Sequence, residues 1–276
     1  MQIGPYRVDF LDTGRFRLDG GAMFGVVPRV LWEKSNPPDT KNRIDMALRT
    51  MLIRGNGKVI LVDSGIGTKW SEKLVDIYAI DHSTYQLDTA LASVGCTRDE
   101  VTHVVLTHLH FDHVGGATRF DATGKAVLTF PNADYLVQFD NLGHAHAPSE
   151  KDKASFIEYT IKPLEDSGRL VGVNGEKEIA PGVHILVTHG HTPGHQLVKV
   201  SSKEETILFC GDTVPTASHI PIPWVMAYDL YPLTTMEEKR DLFIQAVKGN
   251  WKLAFCHDPK IAFCGLTCED GKYRAV

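Results

Sequence analysis

THLHFDHVGG, residues 107–116, follows the apolar run Val104-Val105-Leu106 and places three histidines and an aspartate within six positions. A short apolar run of this kind reads as a buried strand. His108, His110, Asp112 and His113 then fall in the loop at its C-terminal end, where rigid sheets display chemistry. His108 and His110 are two residues apart and point the same way in an extended segment. Asp112 and His113, beyond a turn, address a second point, and Gly115 and Gly116 let the backbone turn away tightly. Imidazole and carboxylate are the donors that Zn²⁺ and related first-row ions take. Four such donors exceed what one open catalytic site requires, so the stretch predicts two divalent metal ions, zinc first, with Mn, Fe or Co as alternatives.

Such a site needs further ligands, and three candidates stand at the ends of expected strands. His195 lies in His189-Gly190-His191-Thr192-Pro193-Gly194-His195, Asp212 follows the strand Ile207 to Cys210, and His257 follows Leu253 to Cys256. The expected arrangement has His108, His110 and His195 holding one metal and Asp112, His113 and His257 the other, with Asp212 between them. Taken singly, His195 or His257 reads as an ordinary hydrogen-bonded strand-end histidine; the 108–113 cluster is what draws them in. Asp63, at the end of the run Val59 to Val62, reads either as a carboxylate supporting a ligand imidazole or as a turn former. Cys210 and Cys256 leave strands next to expected ligands, and buried packing is their expected role.

The 276 residues are expected to form a single domain over 1–276, and 43% hydrophobic with 23% charged residues is an ordinary globular composition. A net charge of −5 and a pI near 6.2 give no electrostatic footprint for nucleic acid or an anionic membrane. A small-molecule substrate is the natural partner. The start, MQIGPYRVDF, has no basic segment followed by an apolar one, and no run approaches the roughly 18 apolar residues of a span, so the expected location is the cytoplasm. Five cysteines, an odd number without a CxxC pair, read as reduced thiols.

Short apolar runs bounded by Gly, Pro, Asn or Asp outnumber the helical stretches, which are expected near 68–79, 83–94, 150–166 and 235–248. The two kinds do not alternate one for one, so two mixed sheets covered by helices fit better than a doubly wound parallel sheet. Lys58 to Gly65 and Thr206 to Thr213 echo each other, each an apolar strand delivering an Asp into a Gly-containing turn; duplication and coincidence both account for this. Residues 15–44, with Gly20-Gly21, Pro28 and Pro37-Pro38, read as a long loop near the active site or a dimer interface, with Met23, Phe24, Val26, Val27, Leu31 and Trp32 as exposed apolar candidates.

In order along the chain, Thr107 to Gly116, His191-Thr192-Pro193-Gly194-His195, Gly211-Asp212-Thr213 and Cys256-His257-Asp258 resemble the metal motifs of the metallo-β-lactamase fold hydrolases. Leu18 to Pro28, Gly194-His195-Gln196 and Asp212 to His219 make the chain most similar to the N-acyl-homoserine lactonases, particularly the YtnP-type group, and to the methyl parathion hydrolases. The resemblance implies an α/β (α+β) fold, the four-layer αββα sandwich with pseudo-twofold halves, and a homodimer. It also implies a dinuclear-metal-dependent hydrolase that opens lactones by attack of a hydroxide held between the metals, with Asp112 orienting that nucleophile. Lactonases of this group carry a tyrosine three residues after the bridging aspartate, where this chain has Pro215. Tyr228 and His219 are the candidates for its role; each also reads as a pocket aromatic or a loop histidine. The alternatives are a phosphotriester or aryl-ester hydrolase using the same metals and a non-catalytic metal-binding or sensor protein.

Overall fold

Alternation of apolar side chains along the strands dictates two sheets that share one core. In the computed structural model, which describes residues 1–276, the first sheet is ordered Gln2–Ile3, Tyr6–Asp19, Arg43–Gly55, Lys58–Val62, His103–Val105, Asp134–Gln138, Leu170–Val173. The second is ordered Lys177–Ala180, Val183–Thr188, His195–Ser201, Thr206–Phe209, Lys252–Ala254, Phe263–Cys264. Successive side chains on a strand point to opposite faces. Ile207 and Phe209 therefore enter the core between the sheets, with Val62, Val105, Val198 and Val200, while Leu208 turns outward to Phe243 of the helix Pro232–Lys248. Helices Leu87–Ser93 and Glu158–Asp166 cover the outer face of the first sheet through Leu87, Leu91, Ile161 and Leu164. The result is the expected helix–sheet–sheet–helix sandwich. No helix is long and apolar enough to cross a membrane.

The two halves share a pattern. In each sheet an antiparallel ladder passes into a parallel pair, Lys58–Val62 with His103–Val105 and Thr206–Phe209 with Lys252–Ala254. Asp63 and Asp212 stand just beyond the first strand of each pair, so the echo in the sequence corresponds to equivalent places in the two sheets. Both face the same end of the sandwich.

Residues 15–44 are less of a loop than expected. The strand from Tyr6 continues to Asp19 through an irregularity between Asp12 and Arg15, and pairs there with Arg43–Ala47. Two short helices follow, Gly20–Phe24 and Arg29–Trp32. Met23, Phe24 and Trp32 are buried rather than exposed, while Val26, Val30 and Leu31 face outward; Trp32 stacks on Phe24 at 5.3 Å between ring centroids. The expected helix over 150–166 begins only at Glu158. Pro163 lies inside it and has no N–H to offer Tyr159 O. That carbonyl is taken instead by the buried Lys69 Nζ, at 3.1 Å, whose pKa burial holds down to about 8.

Segment 63–67 is laced against the histidine-rich loop. Ser64 donates to His113 O through both its backbone N–H, at 2.9 Å, and its hydroxyl, at 2.8 Å. Gly115 and Gly116 pass so close that a Cβ on Gly116 would collide with Ser64 O. Gly116→Ala should therefore destabilise the protein by about 1–3 kcal/mol, the ordinary cost of forcing extra volume into a packed interior, measured by urea unfolding of the metal-free protein; an unchanged midpoint would refute the close-approach argument.

Candidate metal centre

Five elements deliver donors to one point at the end of the sandwich. His108 and His110 leave the strand His103–Val105, Asp112 and His113 lie on the single-turn helix Phe111–Val114, and His191 sits in the turn between Val183–Thr188 and His195–Ser201. Asp212 occupies the turn Gly211–Thr213, and His257 follows Lys252–Ala254. His108 Nε2, His110 Nδ1 and His191 Nε2 converge, with 2.9 Å and 3.1 Å separating His110 Nδ1 from the other two. His113 Nε2 and His257 Nε2 face each other at 3.1 Å, with Asp112 Oδ2 at 3.4 Å from His257 Nε2. Asp212 joins the two groups: its Oδ1 lies 3.1 Å from His257 Nε2 and 3.3 Å from His113 Nε2, and its Oδ2 lies 3.4 Å from His191 Nε2.

The hydrogen bonds behind the rings decide what these nitrogens present. His113 Nδ1 donates to Asp63 Oδ2 at 2.8 Å, His191 Nδ1 to Asp229 Oδ1 at 2.9 Å, and His257 Nδ1 to the carbonyl of Ala47 at 2.9 Å. Asp63 also accepts from the Thr107 hydroxyl, at 2.9 Å, which leaves that oxygen free to accept from His108 Nδ1 at 3.0 Å. A neutral imidazole carries one N–H, so the Nε2 atoms of His108, His113, His191 and His257 all present lone pairs inward, beside two carboxylates. His110 Nε2 is buried with no partner. An inward-facing set of lone pairs and carboxylate oxygens, with the tautomers of His108, His113, His191 and His257 fixed from behind, fits divalent cations.

The electrostatics agree. Burial, reinforced by neighbouring imidazoles, holds His108 and His110 well below the usual histidine range. At His113 and His257 burial opposes protonation, but the carboxylates, Asp212 foremost, overcome it and raise both. Burial likewise disfavours the Asp212 carboxylate, yet His113 and His257 hold its pKa well below the ordinary value. The centre attracts positive charge.

Residues 49–257 match the family model of the metallo-beta-lactamase superfamily. The chain belongs to that superfamily. A probable metallo-hydrolase of Mycobacterium tuberculosis, Rv2300c, is 28% identical over 69% of this chain and 66% of its own length. An N-acyl homoserine lactonase, AiiA, of Bacillus thuringiensis subsp. kurstaki is 27% identical over 41% of this chain and 38% of its own. The crystal structure of a probable metal-dependent hydrolase from Staphylococcus aureus superposes with a TM-score of 0.90 at 29% identity, over 100% of this chain and 99% of that one. The curated relatives are thus matched over about two thirds of their length or less. These relatives are named as hydrolases, two of them as probable metal-dependent ones.

The geometry places His191, rather than the expected His195, among the converging nitrogens. His195 is buried close to the centre, but both of its ring nitrogens are engaged: Nε2 accepts from the Asp212 backbone N–H at 3.0 Å, and Nδ1 faces the Thr188 hydroxyl at 3.0 Å. His195 opens a strand and pairs in register with Thr188, which fixes its ring behind Asp212. His191, at the turn, takes the place expected of it. His219 does not line the cavity at the centre. Its Nε2 donates to Met23 O at 2.8 Å, its Nδ1 faces Thr216 Oγ1 at 2.7 Å, its ring stacks on Phe24 at 4.7 Å, and burial lowers its pKa to about 4.

Tyr228 lines a cavity of about 350 Å³ together with His110, Asp112, His191, Asp212 and His257. The apolar wall of that cavity is built by Leu18, Ala22, Met23, Phe111, Met226 and Ala227, and Tyr78 adds a second phenol. Cys256, expected only to pack, also touches the centre, its Sγ donating to Asp212 Oδ1 at 3.3 Å. Asp229 and Tyr78 are the residues that sequence reasoning missed, since neither sits in a recognisable motif.

These assignments separate two neighbouring histidines. Purified His191→Ala should carry about one divalent ion fewer per chain than the unsubstituted protein, whereas His195→Ala should keep its full complement while unfolding more readily. Metal analysis of folded material checks both, and the opposite ranking would return His195 to the ligand set.

Proposed function

We propose that this chain is a metal-dependent hydrolase that opens the ester bond of lactones of the N-acyl-homoserine type. The observation that carries this reading is the junction of a two-group centre, joined by Asp212, with a cavity that has an apolar lining and two phenols, Tyr78 and Tyr228. The apolar wall suits an acyl chain, the donor set suits the ring carbonyl, and the AiiA relative, named as an N-acyl homoserine lactonase, acts on this chemistry. Two divalent ions, zinc first, would be held by His108, His110 and His191 and by Asp112, His113 and His257, with Asp212 shared, and would supply Lewis acidity and acidified water.

The chain's own residues do the rest. Leu18, Met23 and Met226 receive the acyl chain and exclude water around it. Burial raises the pKa of Tyr228, so its hydroxyl stays protonated at neutral pH and donates to the carbonyl oxygen as negative charge develops there. The Asp112 carboxylate orients the attacking water and accepts its proton. As the new C–O bond forms and the ring C–O bond breaks, that proton passes to the departing alkoxide, giving a hydroxy acid. Phe156 packs edge-on against His110, 4.8 Å between ring centroids, and closes that side of the site.

A panel of N-acyl homoserine lactones, aryl esters and paraoxon-like phosphotriesters, assayed on metal-quantified protein, tests the reading. Lactones should be the best substrates, chelation should abolish turnover, and Tyr228→Phe should lower kcat by about 100-fold, as for loss of one oxyanion donor. Phosphotriester turnover with inert lactones would move the assignment to the methyl parathion hydrolase type of chemistry. Absence of any turnover would point to the binding or sensor alternative.

A further inference from the structure

One carboxamide outside every metal motif ties two ligand loops together. Asn141 lies on the helix Phe139–His146, directly after the strand Asp134–Gln138, and is completely buried. Its Oδ1 accepts the backbone N–H of Leu109, the residue between His108 and His110, at 2.9 Å. Its Nδ2 donates to the carbonyl of Pro193, two residues beyond His191, at 2.9 Å. Both loops thus hang from one side chain, and those two loops supply all three imidazoles of the group His108, His110 and His191. Around His113 and His257 it makes no direct hydrogen bond, although Asp112 and His113 follow on the same loop one helical turn later.

The geometry admits few replacements. A side-chain amide offers an acceptor and a donor on one short stem, whereas a carboxylate offers acceptors alone. Gly194, in the left-handed region at φ +65°, brings the 189–195 turn against the same helix, where a Cβ would lie 2.8 Å from Asn141 N. The far side of that turn is held independently, since Glu238 accepts the backbone N–H of His189 at 2.6 Å and of Gly190 at 3.1 Å. His191 is therefore held from three sides, by Glu238 at residues 189–190, by Asp229 at its own Nδ1 and by Asn141 at Pro193, and only the last of these also touches the His108–His110 loop.

We infer that Asn141 is a positioning residue for the three-histidine metal group alone, setting the spacing between His191 and the pair His108 and His110. This rests on the metal-binding reading above. Outer residues that orient ligands typically cost 10–100-fold in metal affinity when removed.

The test is a zinc titration in competition with a chelating dye, on the full chain and on Asn141→Asp, which keeps the acceptor for Leu109 but sets a carboxylate against Pro193 O. Asn141→Leu, lacking both bonds, serves as a second variant, and thermal unfolding identifies folded samples. Asn141→Asp should weaken one of the two zinc equivalents by about 10–100-fold and leave the other within about twofold. In a His191→Ala background the same substitution should change zinc affinity no further, because the group it positions is already broken. Equal weakening of both equivalents, or unchanged affinities, would overturn the inference and leave the metal reading standing. A parent chain that takes up no zinc would overturn the metal reading itself, and this inference with it.

Discussion

Four imidazole nitrogens, each with its proton drawn to the opposite side of the ring, face inward beside two carboxylates at the floor of a cavity. Lone pairs at such separations repel. The Asp212 carboxylate makes the repulsion a single problem rather than two, since one of its oxygens faces His113 and His257 and the other faces His191. A cation in each group would resolve it. Without metal, protons stand in, which is why His113 and His257 hold theirs above the ordinary histidine range despite burial.

This demand shapes the fold around it. The donors come from both sheets, so the centre exists only while the core between the sheets holds them together. Cross-ties run just beneath it: Gln196 N donates to Thr107 O at 2.8 Å, and the Gln196 side chain donates to Leu106 O and Leu136 O. Metal binding and folding are therefore linked, and ions that bind only the native arrangement add their binding free energy to stability. Asp63 shows how economical the support is. Sitting at positive φ, 60°, it accepts from Thr107 twice and from His113 once, fixing one ring directly and, through the Thr107 hydroxyl, the tautomer of His108.

Much of this is legible in the amino-acid sequence. HxHxDH after an apolar run states its chemistry locally, because the four donors are fixed by one strand end and one helical turn. The sandwich is legible from the excess of strands, and Asp63 from its place at a strand terminus. The choice between His191 and His195 is not. Both stand in the same seven-residue stretch, and only the pairing of His195 with Thr188 turns its ring away from the other donors. Asp229 and Tyr78 are invisible in the sequence because their roles depend on where long connections return, which no local pattern encodes. Residues 15–44 read as a loop for a related reason: a strand that continues through an irregularity loses the alternation by which strands are recognised.

The central claim is the pair of metal groups sharing Asp212, with His191 and not His195 among the ligands. A crystal structure of the zinc-loaded protein with anomalous scattering maps on either side of the zinc edge tests it most directly. The account predicts two peaks, one among His108, His110 and His191, the other among Asp112, His113 and His257, with Asp212 reaching both. A single peak, or a peak ligated by His195 with His191 turned away, would contradict it.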